Sequence, residues 1–126
     1  MPIDENDFWP DLEANPAVTP PITILRAYAA PLNEKSGYKL RAEVKTDPSG
    51  ETFVHRFNIT VPELDYYTYE LFQVQHTMNL YPVTCILNGR AVQLNTEVDL
   101  TKWLQQTLSS GDTKQVLSTL MAQVRS

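Results

Sequence analysis

Two runs of strict period-two alternation, joined by one turn signal, constrain this chain more than any other feature. Tyr38, Leu40, Ala42 and Val44 alternate with Lys39, Arg41, Glu43 and Lys45; then Phe53, His55, Phe57, Ile59 and Val61 alternate with Val54, Arg56, Asn58 and Thr60. Successive strand side chains point to opposite faces, so the first run has one apolar face and one wet face. Between the runs, Asp47-Pro48-Ser49-Gly50 carries the residue types that turns require. The spacing predicts an antiparallel hairpin.

The next run, Tyr66 to Leu80, changes parity in its middle. Tyr67, Tyr69 and Leu71 point one way, then Phe72, Val74, His76, Met78 and Leu80 the other. A β-bulge near Leu71-Phe72 would keep both sets on the core side, because one extra residue shifts the face that follows. A sheet covered on both faces is the competing explanation. Val83 to Leu87 and Arg90 to Asn95 flank Asn88-Gly89, the pair that a type I′ hairpin turn favours because both positions need positive φ.

The flanks read as helices. Thr19 is a candidate N-cap, followed by Pro20 and Pro21, whose missing N–H groups cost nothing in a first turn. Ile22, Leu25, Ala29 and Leu32 then fall at helical spacing, and Pro31 stops or kinks the helix near Ala30. After Thr96, Leu100, Trp103, Leu104 and Leu108 form one stripe. Ser109-Ser110-Gly111 breaks it, and Asp112 is placed to cap a last helix carrying Val116, Leu117, Leu120, Met121 and Val124. The expectation is an α+β domain over residues 19–126. It has an N-terminal helix, an antiparallel meander of about five strands, and two C-terminal helices packed on one face of the sheet.

Charge divides the chain differently. Asp4, Glu5, Asp7, Asp11 and Glu13 are the only charged residues before position 20, whereas beyond it ten acids face ten bases. The net charge of −5 therefore belongs to residues 1–18, an acidic, proline-rich arm with the aromatic pair Phe8-Trp9 at its middle. Its composition offers little apolar surface to offset ordering, so the arm is expected to be disordered or folded back on the domain. A disordered acidic segment with two aromatics has the chemistry of a short recognition motif; an exposed Phe-Trp pair also favours folding back onto an apolar groove.

These features argue against several functions, although Lys39, Arg41 and Lys45 could form a local basic patch. Nucleic-acid binding needs a basic surface that releases counterions, and neither the neutral domain nor the acidic arm supplies one overall. No apolar run approaches the ~20 residues of a membrane-spanning helix. Cys85 is the only cysteine and the start of the chain is acidic, so the expected compartment is the cytoplasm. Gly37, Gly50, Gly89 and Gly111 are too dispersed for a phosphate-cradling loop, and no cofactor is expected.

The candidates for chemistry are few. His55, His76 and Cys85 lack the paired spacing of a zinc site, and a histidine on an apolar strand face is more often a satisfied core or groove residue. Cys85, between Thr84 and Ile86 in an apolar strand, reads as a small buried hydrophobe. Glu63 and Asp65 suit a solvated turn, while Glu70 falls beside the expected bulge, a location over-represented near functional sites. The densest unusual cluster is Asp65-Tyr66-Tyr67-Thr68-Tyr69-Glu70, whose tyrosines offer rigid area with polar tips, as interfaces do.

In outline, a helix followed by a meander resembles cystatin-like and related helix-grip arrangements. Small acidic chains with helices at both ends resemble secretion chaperones and the immunity proteins that neutralise bacterial toxins. Such likenesses of outline identify no functional residue. From the residues, the expectation is a non-enzymatic module that binds another protein through Tyr66, Tyr67, Tyr69 and Glu70, with Phe8 and Trp9 as a further anchor. The alternative is a small-molecule-binding protein or cofactor-free enzyme, with a pocket between sheet and helices lined by His55, Tyr67, Tyr69 and His76. A homodimer through the sheet or the C-terminal helix is compatible with both.

Overall fold

The computed structural model describes residues 18–125. In chain order the elements are α1 (Pro21–Ala29), α2 (Pro31–Lys35), β1 (Arg41–Ser49), β2 (Thr52–Val61), β3 (Tyr67–His76), β4 (Val83–Leu87), β5 (Arg90–Leu94), α3 (Glu97–Leu108) and α4 (Gly111–Arg125). The five strands form one antiparallel meander, each beside its sequence neighbour, so β1 and β5 are the edges. This is the expected α+β architecture. Among the described residues no helix is long and apolar enough to cross a membrane.

The core lies between the sheet and the helices. Leu25 of α1, Phe57, Ile59 and Val61 of β2, Phe72 and Val74 of β3, Val83 and Cys85 of β4, and Leu100 and Leu104 of α3 are all buried. Burying each large apolar side chain contributes about 1.5–3 kcal/mol, against the entropy of ordering the chain. Aromatic stacking adds direction: the Phe57 and Phe72 rings stack at 4.8 Å, and Trp103 of α3 meets Phe72 edge-on at 5.0 Å. One helix is thereby keyed to the middle of the sheet. The opposite sheet face is polar, carrying Arg41, Glu43 and Lys45 of β1 opposite Thr60, Asn58 and Arg56 of β2.

The register of β2 on β3 slips where the sequence changes parity. Phe57 pairs with Phe72 but Asn58 pairs with Glu70, which leaves Leu71 as the extra residue of a bulge. Leu71 and Phe72 are consequently both buried although adjacent in sequence. Asn88 and Gly89, at φ 52° and 79°, make the two-residue β4–β5 turn, with Leu87 opposite Arg90.

Several local expectations shift. The first turn is not Asp47-Pro48-Ser49-Gly50: β1 continues through Ser49, which pairs with Thr52, so the loop is Gly50-Glu51 with Gly50 at φ 62°. A two-residue loop with positive φ matches the strand twist, and Pro48 is tolerated because β1 is an edge. Tyr38 is not part of the strand; it adopts φ 64° with its ring exposed, and Leu40 is buried with its N–H on the Ser36 hydroxyl. β3 ends at His76 rather than Leu80, and Met78 is exposed.

Two caps also differ. Pro20, not Thr19, occupies the N-cap of α1. Thr19 is held through its backbone instead, its N–H on Glu97 Oε2 at 2.6 Å and its carbonyl accepting from the Tyr81 hydroxyl at 2.9 Å. For α4 the cap is Ser110 rather than Asp112, since the Ser110 hydroxyl accepts from the Thr113 N–H at 3.2 Å. Thr96 caps α3 by accepting from the Asp99 N–H at 3.1 Å.

Candidate functional site

The tyrosine-bearing start of β3 is shaped by an irregular approach. A short 3-10 turn, Pro62–Leu64, is followed by Asp65 and Tyr66, both left-handed at φ 54° and 60°. Two successive non-glycine residues in that region cost free energy, which the surrounding fold must supply. The result is presentation: Tyr66 is 65% exposed and Tyr67 is 49% exposed. Alternation then sends Tyr67 and Tyr69 to the helix side, where with Leu64 they line a groove of about 490 Å³ whose other wall is Val116, Thr119 and Leu120 of α4.

Glu70 lies elsewhere. It sits on the polar face, where Arg56 Nη1 meets its Oε1 at 2.6 Å and Gln73 Nε2 donates to its Oε2 at 2.9 Å. Arg56 Nε also meets Asp47 Oδ2 at 2.9 Å, so one guanidinium bridges two strands. Burial works against the Glu70 carboxylate, but the bonds from Gln73 and Arg56 outweigh it and hold its pKa below the usual value. The sheet therefore separates Glu70 from Tyr67 and Tyr69.

The two histidines meet at the far end of β3. His55 Nε2 lies 2.7 Å from His76 Nε2, His76 Nδ1 lies 2.7 Å from the Thr77 carbonyl, and His55 Nδ1 lies 2.8 Å from the Thr46 hydroxyl. Because a carbonyl only accepts, His76 carries its proton on Nδ1. In the neutral pair His55 then donates from Nε2 and accepts from Thr46 at Nδ1. All four ring nitrogens are engaged within the protein. Burial, with His76 and Arg26 nearby, pushes the His55 pKa down to about 4.

His55 and His76 do not stand beside Tyr67 and Tyr69. Tyr67 and His76 are the two ends of β3, roughly 30 Å apart at the rise of an extended strand. Cys85 is buried, and burial raises its thiol pKa to about 12. Among the described residues no group of three or more His, Cys, Asp or Glu side chains is placed to hold a metal ion. Phe8 and Trp9 lie outside the described residues.

A second groove was not legible from the sequence. α4 lies over the sheet with only Leu120 of its stripe buried; Val116, Leu117, Met121 and Val124 are half-covered. Between α4 and the α1–α2 corner runs an apolar trough of about 470 Å³. Its floor is Ala42, Phe57, Ile59 and Leu71, and its walls are Tyr28, Pro31 and Leu32 on one side and Leu108, Thr113 and Leu117 on the other. Helical spacing put Leu32, Leu108 and Leu117 on core-facing stripes, which left no sign that the layer between them was incomplete.

No family model, curated protein or solved structure was found to match the chain.

Proposed function

We propose that the chain is a small protein-binding module, of the adaptor, chaperone or toxin-neutralising kind, that holds its partner on the tyrosine-bearing end of β3. The observation that carries this reading is the pair of left-handed residues, Asp65 and Tyr66, which set an exposed Tyr66 next to a half-exposed Tyr67 that lines the α4 groove. Strained backbone that displays aromatics is what an interface uses, because tyrosine gives large contact area at low conformational cost.

The chemistry of the other candidates supports binding over catalysis. The Cys85 thiol is buried with a raised pKa, and each histidine ring spends both nitrogens on the protein itself. A nucleophile or base needs an atom that can reach a substrate.

The test is a paired capture from the native host with three full-length baits: wild type, the Tyr66→Ala/Tyr67→Asp double variant, and Glu70→Gln. Bound proteins are identified by mass spectrometry, with circular dichroism verifying that each bait is folded. The expected result is a protein retained by wild type and by Glu70→Gln, which alters the opposite face, and lost from the tyrosine variant. Retention by all three baits, or specific capture by none, overturns the reading.

A further inference from the structure

The mostly apolar trough between the α1–α2 corner and α4 lies in a chain that also carries an aromatic pair in an acidic segment. The geometry points to Phe8-Trp9 as its occupant, docked in cis. The inference is separate from the reading of the tyrosine-bearing end and stands or falls without it.

Reach comes first. Thr19 is pinned at the start of α1 by the Glu97 carboxylate and the Tyr81 hydroxyl, so the point from which the preceding chain departs is fixed. The trough begins at Ala27 and Tyr28, about 10 Å further along α1 at the rise of a helix. Trp9 lies ten positions before Thr19, a stretch that can span up to about 33 Å. The pair reaches the trough with slack.

Fit comes second. A volume of about 470 Å³ suits two large aromatic side chains, and its walls are mostly apolar. Charge is favourable at the rim: Asp7 and Asp11 bracket the aromatic pair, Lys35 lines the trough, and Lys114 lines the adjoining hollow on the outer side of α4. Glu34 of α2 opposes this, so apolar filling rather than charge carries the contact. Docking would cover Leu117, one of the half-covered residues of the α4 stripe, and turn the arm into an intramolecular competitor for anything else that enters the trough.

The experiment titrates a fluorescent peptide of residues 1–18 into full-length proteins and reads anisotropy. In wild type the tethered pair competes at an effective concentration in the millimolar range, so the Phe8→Ala/Trp9→Ala variant should bind the peptide at least about tenfold more tightly than wild type. Adding Leu32→Glu to that variant should abolish binding. Independently of whether Leu32→Glu folds, wild type should give concentration-independent nuclear Overhauser contacts between the Trp9 indole and Leu117. Equal peptide affinity for wild type and the alanine variant, binding by neither, or no Trp9–Leu117 contact overturns the inference. Contacts that grow with protein concentration also overturn it, by assigning the trough to a second copy.

Discussion

His55 Nε2 donates to His76 Nε2 across 2.7 Å, and the pair sits near the turn end of the β1–β2 hairpin with every ring nitrogen satisfied. Burial, with His76 and Arg26 nearby, favours the neutral form of the His55 ring. Thr46 and His76 flank its ring in the sheet, and Arg26 opposes added positive charge from α1.

The sign of the resulting pH dependence follows from the native His55 pKa of about 4 against an ordinary value of 6.5. Above 6.5 neither the folded nor the unfolded form binds the proton. Between 6.5 and about 4 the unfolded chain binds it and the native one does not, so stability falls as the pH falls through that window. Each unit of full shift is worth about 1.4 kcal/mol, and solvent beside the half-exposed His76 screens part of it, leaving roughly 1–2 kcal/mol. Urea midpoints measured from pH 7 to 4 should show a steeper loss for wild type than for His55→Gln; parallel slopes would refute this account.

The sequence displayed the sheet well and the site poorly, for identifiable reasons. Alternation is a direct consequence of strand geometry, so Ala42, Val44, Phe57 and Ile59 announced their faces, and the parity change at Leu71-Phe72 announced the bulge. The Gly50-Glu51 turn was misplaced because Pro48, a turn residue by local preference, is equally content on an edge strand. Glu70 was grouped with Tyr67 and Tyr69 by sequence proximity, yet a single residue of offset sends it to the other face. The trough was hidden because a helical stripe reports apolarity, not how much of it the rest of the chain covers.

Cys85 should be chemically silent in the native state. Its pKa of about 12 leaves almost no thiolate at neutral pH, and it is buried beneath the helices. Labelling with an aromatic disulfide reagent at pH 8 should be slow, with a rate set by opening of the fold, and immediate in urea. Fast labelling without denaturant would mean that β4 is far less protected than its packing implies.

The bulge predicts a contrast between two changes at one position. Leu71→Ala removes buried apolar atoms and should cost about 2–5 kcal/mol while preserving the fold. Deleting Leu71 removes the extra residue, so that Tyr67 and Tyr69 would turn to the polar face and Glu70 toward the core. Burying that carboxylate without its Arg56 partner should abolish cooperative unfolding altogether, beyond any single truncation. Thermal melts of the two variants distinguish register from mere loss of packing.

Tyr66 offers the sharpest link between strain and function. With φ at 60° and its ring 65% exposed, it bears a steric penalty for little burial in return. Glycine adopts that backbone without the penalty, although it raises the entropy of the unfolded chain, so Tyr66→Gly should be neutral to stabilising by about 1 kcal/mol. An ordinary exposed tyrosine in a strand would show the opposite sign, since glycine weakens strands. If partner capture is lost from this variant while its melting temperature holds or rises, the left-handed pair is maintained for recognition rather than for folding. If melting falls, Tyr66 is a packing residue of the β3 start, and the presentation argument built on Asp65 and Tyr66 fails.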